Sequence, residues 1–173
     1  AQPDLAEQYE FLPLLFLREN PEVIIARTPP PAILGLSNYI WNEQWKLAMA
    51  RAAKAAWPDC LIVFGGPQVP ERLAADYLEK HSSLGILIHG EGELVFASIL
   101  RERIKSSPCY RFLRGATMVD NLDEYGLEPS AVASGGPPER ITDLSSLPSP
   151  YLTGVFQSIP WGQYELHAVQ ETN

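Results

Sequence analysis

Only two cysteines, Cys60 and Cys109, occur in 173 residues, and no C-x-x-C is present. That excludes a disulfide-stapled scaffold; Cys60 opens an apolar run and reads as a small core residue of a reducing compartment. Basic residues are also scarce: 13 Lys and Arg face 21 Asp and Glu, a net charge of −8. Nucleic acid is therefore not an expected partner, because phosphate binding needs a basic surface. No apolar run approaches the length of a membrane span, which is about 18 residues or more. The N-terminal residues do not read as a signal peptide, so no membrane partner and a cytoplasmic location are expected. Several enzyme signatures are missing too. There is no G-x-x-x-x-G-K-[ST] phosphate loop, no nucleophile elbow and no carboxylate pair whose spacing fixes an acid and a base. Gly90-Glu-Gly-Glu93 lacks the third glycine of a dinucleotide fingerprint. The three histidines, His81, His89 and His167, share no metal-ligand spacing, so no metal site is expected.

What is present is an ordinary globular composition, 46% hydrophobic and 20% charged, with 16 prolines gathered at strand ends and in the last third. Cys60 to Phe64 is a short apolar run that Gly65-Gly66-Pro67 stops abruptly, which predicts a strand buried on both faces. Residues 32–37 predict a second such strand ending at Ser37-Asn38, and residues 85–89 a third. Between them lie helical patterns. From Trp41 or Asn42 to Trp57 the stripe Trp45, Ala48, Met49, Ala52, Ala53 and Ala56 predicts the packed face of a helix. Pro70 is expected to open the next helix, with Leu73, Ala74, Tyr77 and Leu78 inward. Val95, Phe96, Ile99, Leu100 and Ile104 stripe a third. Strand, turn and helix in alternation predict a parallel sheet covered on both faces.

Outside this core the pattern weakens. Glu10 to Phe16 is apolar enough for a strand, with Pro13 favouring an edge, and residues 21–26 fit a helix or a strand. Residues 111–119 predict one strand, residues 120–138 are rich in glycine, proline and acid, and an irregular strap follows from Ile141. The domain edge is placed near residue 107, giving an α/β domain over 1–107 and a connector over 108–173.

Three turns at the carboxyl ends of these strands hold the candidate site, because ligands of open α/β sheets bind there. Each has two readings. Gly65-Gly66 is either strand punctuation or a place where backbone approaches a ligand without an intervening Cβ. Glu91 and Glu93 are either acids favoured at a helix N-terminus or acceptors for the hydroxyls or amides of a ligand; they repel phosphate. Trp41 is either the rim of its helix or a surface for stacking a flat cofactor. His89, ending a strand beside Gly90, reads as structural more readily than as a ligand contact.

Spacing and order add a resemblance. Ser37-Asn38-Tyr39, then 25 residues, then Gly65-Gly66 is similar to the second half of the cobalamin-binding fingerprint, S-x-L followed by a glycine pair, with Tyr39 in place of the leucine. The ordered string of residues 36–42, 65–70, 90–93 and 147–152 resembles the N-terminal domain of the cobalamin-binding radical S-adenosylmethionine (SAM) enzymes. The resemblance implies a flavodoxin-like, Rossmann-like three-layer α/β fold and cobalamin held by Ser37, Asn38, Tyr39, Trp41, Gly65, Gly66, Pro67, Gly90, Glu91 and Gly92. It also implies a radical SAM domain in the same polypeptide that carries a 4Fe-4S cluster and S-adenosylmethionine. Its lead-in resembles Glu171-Thr172-Asn173, so methyl transfer or related radical chemistry is expected outside this stretch. The histidine loop of base-off cobalamin proteins belongs upstream of Ala1. By the same arithmetic the first strand and helix of the fold are expected to be missing, with the sheet re-paired across a gap or completed by a strand from elsewhere. Two competing readings stay open: a domain that orients substrate without cobalamin, and an α/β interaction module with no ligand.

Overall fold

The computed structural model describes residues 3–120 and 131–154, together with residues 156 and 159. The chain divides into two compact units, one of Ala1–Phe16 with Asp143–Asn173 and one of Leu17–Thr142. The first holds a short helix α1, Pro3–Ala6, and a 3-10 turn at Leu144–Ser146 that Asp143 caps by accepting from the Ser145 N–H at 2.9 Å. The strand expected over residues 10–16 is absent; Phe11, Leu14 and Phe16 are exposed. Pro13 offers no N–H to a ladder, and apolar composition alone does not make a strand without a neighbour to pair with. The expectations that fall on residues 160–173, His167 and the cluster lead-in among them, lie outside the described residues.

The second unit is an open α/β sheet with its helices. Its elements are α2 Pro21–Arg27, β1 Ile33–Ser37, α3 Glu43–Ala56, β2 Leu61–Gly65, α4 Ala74–Lys80, β3 Ile86–Ile88, α5 Gly92–Arg103, β4 Ala116–Asp120 and β5 Ala131–Ser134. The strands lie in the order β1-β2-β3-β4-β5. β1, β2 and β3 are parallel, with Ile33 opposite Leu61 through to Ser37 opposite Gly65, and Val63 opposite Ile86. β4 and β5 run antiparallel. The α/β class is as read from the sequence. The gap is not there: five strands of this one chain occupy adjacent places, and the fourth and fifth come from residues beyond 107.

Alternation along the strands sets the two faces. Val63, Ile86, Ile88, Ala116 and Met118 pack with Ile99 of α5. Ile62, Phe64 and Leu87 point the other way and are almost fully buried; the Phe64 ring lies 6.3 Å from Tyr77 of α4. Tyr77 Oη donates to Glu43 Oε1 at 2.8 Å, tying α4 to α3, and its phenol is pushed up by burial and by that carboxylate. The buried face of α3 is Leu47, Met49, Ala50 and Ala53, with Ala56 exposed, so the helix is turned about one residue from the predicted stripe. Its run of alanines gives little side-chain volume from which to choose a face. α4 begins at Ala74 rather than Pro70, and Leu73 is 63% exposed. The residues freed from that helix form a loop at the sheet edge. No helix among the described residues is long and apolar enough to cross a membrane.

Candidate functional site

β1, β2 and β3 all point their carboxyl ends at one edge, and the loops that follow them enclose a cleft of about 500 Å³. Tyr39 comes from the first loop, Gly66, Pro67, Val69 and Glu71 from the second, and Gly90, Glu91, Gly92 and Glu93 from the third. A cleft over the carboxyl edge of parallel strands is where open α/β sheets receive ligands.

The first loop is shaped by Asn42. Its Oδ1 accepts from the Tyr39 N–H at 2.9 Å and its Nδ2 donates to the Ser37 carbonyl at 3.3 Å. This bracket presents Tyr39, Ile40 and Trp41 outward. The Tyr39 and Trp41 rings stack on each other, centroids 4.8 Å apart and 17° from parallel, with Trp41 66% exposed. Arg18 Nη1 donates to the Trp41 carbonyl at 2.9 Å and steadies the turn from outside.

The second loop is held by main-chain hydrogen bonds. The Asn38 N–H donates to the Gly65 carbonyl at 2.5 Å, and the Gln68 N–H to the Asn38 carbonyl at 3.4 Å. Gly66 has φ +110°, and a Cβ on it would stand 2.6 Å from the Asn38 carbonyl oxygen and 2.9 Å from the Asn38 nitrogen. The absence of a side chain at Gly66 therefore serves the contact between two loops, and Gly66 also lines the cleft. Gly65 is different. A Cβ there would meet only Ile88 Cβ at 3.5 Å, an ordinary contact.

The third loop is held by residues from far along the chain. Glu91 Oε2 accepts the Ile141 N–H at 2.5 Å. Gly90, at φ +64°, and Gly115, at φ +76°, both pack on Pro138. The His89 N–H donates to the Gly115 carbonyl at 2.8 Å. Residues 135–141 thus form a strap against the cleft wall.

Two buried polar side chains stand immediately behind the lining. Asn38 is fully buried, and neither atom of its amide has a partner among the described residues. His89 is 6% exposed; Nε2 lies 2.9 Å from Thr117 Oγ1, and Nδ1 has no partner among the described residues. Burial pushes the imidazole below its ordinary value, opposed by the charge of Glu71. Each orphaned group costs about 1–3 kcal/mol, so two behind one cleft call for an explanation. The charged residues lining the cleft, Glu71, Glu91 and Glu93, are all acidic, which suits neutral donors such as hydroxyls and amides and disfavours anions.

Of the ten residues drawn from the sequence, Tyr39, Gly66, Pro67, Gly90, Glu91 and Gly92 line the cleft. Ser37 ends β1 with its side chain exposed, Asn38 is buried beneath the loop, Gly65 ends β2, and Trp41 reaches the rim through its stack on Tyr39. Glu93, read with Glu91 as a possible ligand acceptor, also lines the cleft, whereas Val69 and Glu71 carry no such reading in the sequence, because the helix expected from Pro70 conceals Glu71. Among the described residues no group of three or more His, Cys, Asp or Glu could hold a metal ion.

No protein-family profile matches the chain. It is 35% identical over 153 residues, 88% of its length, to the 2-(S-pantetheinyl)-carbapenam-3-carboxylate methyltransferase of Streptantibioticus cattleyicolor. It is 34% identical over 151 residues, 87% of its length, to the cobalamin-dependent radical SAM methyltransferase TokK of Streptomyces tokunonensis. The chain is homologous to part of each. It spans 21% of the length of these relatives.

Proposed function

We propose that this chain is the cobalamin-binding domain of a radical SAM methyltransferase. The observation that carries the reading is the similarity to TokK along 87% of the chain, taken with a cleft at the carboxyl edge of its parallel strands. The residues suit a corrinoid. The exposed Tyr39–Trp41 stack offers a flat apolar surface at the rim. The carboxylates of Glu71 and Glu93 can accept from the amide arms of a corrin, and the buried polar atoms of Asn38 and His89 await partners. Cobalamin, when bound, supplies a carrier for a methyl group. This chain's own part is to bind it, orient it and shield one side from water. The 4Fe-4S cluster, S-adenosylmethionine and the domain that holds them belong, on this reading, to the rest of the polypeptide, in a cytoplasmic enzyme.

A second reading is a domain that keeps these loops but orients substrate without cobalamin. It is favoured by the use the chain makes of its own site: Gly66 packs on Asn38, and Glu91 holds Ile141. Titration of the intact protein with hydroxocobalamin, followed by visible absorption and co-elution, separates the two. A saturable spectral change with cobalamin retained through gel filtration is expected; no change and no retention would reject cobalamin binding.

A further inference from the structure

At the start of the third loop of the cleft stands a ring with one anchored nitrogen and one that no contact among the described residues uses. His89 follows directly on β3, and its ring shares a sheet face with Leu87 and with Thr117 of β4. The hydrogen bond between Nε2 and Thr117 Oγ1, 2.9 Å, fixes the ring. It leaves Nδ1 buried and without a partner among the described residues. Two neighbours of the ring are residues of the cleft wall. Gly90 is next in the chain, and Glu71 is close enough for its charge to act on the imidazole. A buried polar atom beside a cleft, in a side chain already anchored at its other end, is arranged as a ligand contact is: one nitrogen orients, the other recognises.

We infer that His89 is a specificity-determining residue of the cleft, whose Nδ1 pairs with an uncharged carboxamide or hydroxyl of the bound ligand. Resting on the cobalamin reading above, this assigns His89 to an amide arm of the corrin and not to the nucleotide phosphate. The chemistry selects that class in two ways. The buried ring is neutral, so Nδ1 is a donor or an acceptor according to which tautomer Thr117 stabilises; a carboxamide or a hydroxyl carries both functions and satisfies either. Glu71, Glu91 and Glu93 on the surrounding walls make the same position unfavourable for an anion.

The two nitrogens can be separated by substitution. The amide of asparagine reaches about where Nδ1 stands, and that of glutamine about where Nε2 stands. In the intact protein, His89→Gln keeps the Thr117 contact; it should retain the thermal midpoint and weaken hydroxocobalamin binding about tenfold, the worth of one buried hydrogen bond. His89→Asn should do the reverse, holding affinity within about threefold while lowering the midpoint, because Thr117 loses its partner. Cobinamide, which keeps the amide arms and lacks the nucleotide, should lose the same factor on His89→Gln. Unchanged affinity in the Gln variant, with wild-type binding intact, overturns the role of His89 alone. A loss seen with hydroxocobalamin but not with cobinamide overturns the amide assignment. A wild-type protein that binds neither overturns this inference together with the reading it rests on.

Discussion

The second and third loops of the cleft both turn on glycines and are built in opposite ways. Around Gly66 the support is main chain: the peptide of Asn38 fills the space a Cβ would take, and the hydrogen bonds run backbone to backbone. Around Gly90 side chains take part: the Pro138 ring reaches across from the strap, and the loop's own Glu91 carboxylate reaches out to the Ile141 N–H. A wall made of backbone has one conformation and breaks when it is crowded. A wall held by side chains can yield by a few tenths of an ångström. The two halves of one site should therefore differ in how much substitution they tolerate.

The largest effect is expected at Gly66. Gly66→Ala combines a positive φ with a 2.6 Å approach to backbone that cannot rotate aside. A loss of about 3 kcal/mol in urea denaturation follows from strain plus displaced packing. A valine there should unsettle the first and second loops together, so it cannot serve as a clean block of the cleft. A loss below about 1 kcal/mol would show that the two loops part easily.

Gly90→Ala should cost less, about 1–2 kcal/mol, the usual penalty for an L-residue in the left-handed region. The Pro138 ring stands 3.1 Å from the added carbon, so it need give by only a few tenths of an ångström, where Asn38 backbone would have to move farther for Gly66→Ala. If Gly90→Ala proves as damaging as Gly66→Ala, the contrast between the walls is lost.

The smallest effect should come from pH. Burial holds the His89 imidazole below its ordinary value of 6.5, and burial followed by Lys80 and Arg51 does the same for His81. Below 6.5 the unfolded chain therefore binds protons that the folded chain does not. Stability present above 6.5 is lost as the pH falls through the lowered folded values. Urea midpoints at pH 8 and pH 5.5, in wild type and His89→Gln, should show a smaller decline in the variant. Equal declines would place the proton uptake elsewhere.

How much of this was legible depends on the range over which each feature is encoded. β2 and β3 are buried on both faces, so each prints an uninterrupted apolar run that the sequence displays directly; β1, read as a second such strand, is an edge strand with Leu36 buried and Gly35 and Ser37 exposed. β5 prints no such run. Ala131–Ser134 is short and weakly apolar, and it follows a stretch of glycine and acid that reads as a loop. It becomes a strand because β4 offers an edge to pair with. The same division runs through the site. The glycine turns after β2 and β3 were visible, since glycine marks unusual backbone wherever it falls. What each glycine makes room for was not visible. Nothing near Gly66 in sequence names Asn38 as the neighbour, and 50 residues separate Glu91 from Ile141. The orphaned nitrogen of His89 was equally hidden, because an unmet hydrogen bond is a property of surroundings.

The reversal of direction at β4 has a consequence for what the edge can hold. β1, β2, β3 and β5 deliver their carboxyl ends there, but β4, lying between β3 and β5, begins at that edge, with Ala116 opposite Ile88, and the strap leaving β5 crosses beside it. The site is therefore lopsided. On the β4 side its width is set by the chain's own return, and a larger guest can gain room only by extending across Gly66 toward the aromatic pair beyond β1. Guests differing in their peripheral substituents should accordingly be discriminated by which side carries the added bulk, rather than by total size.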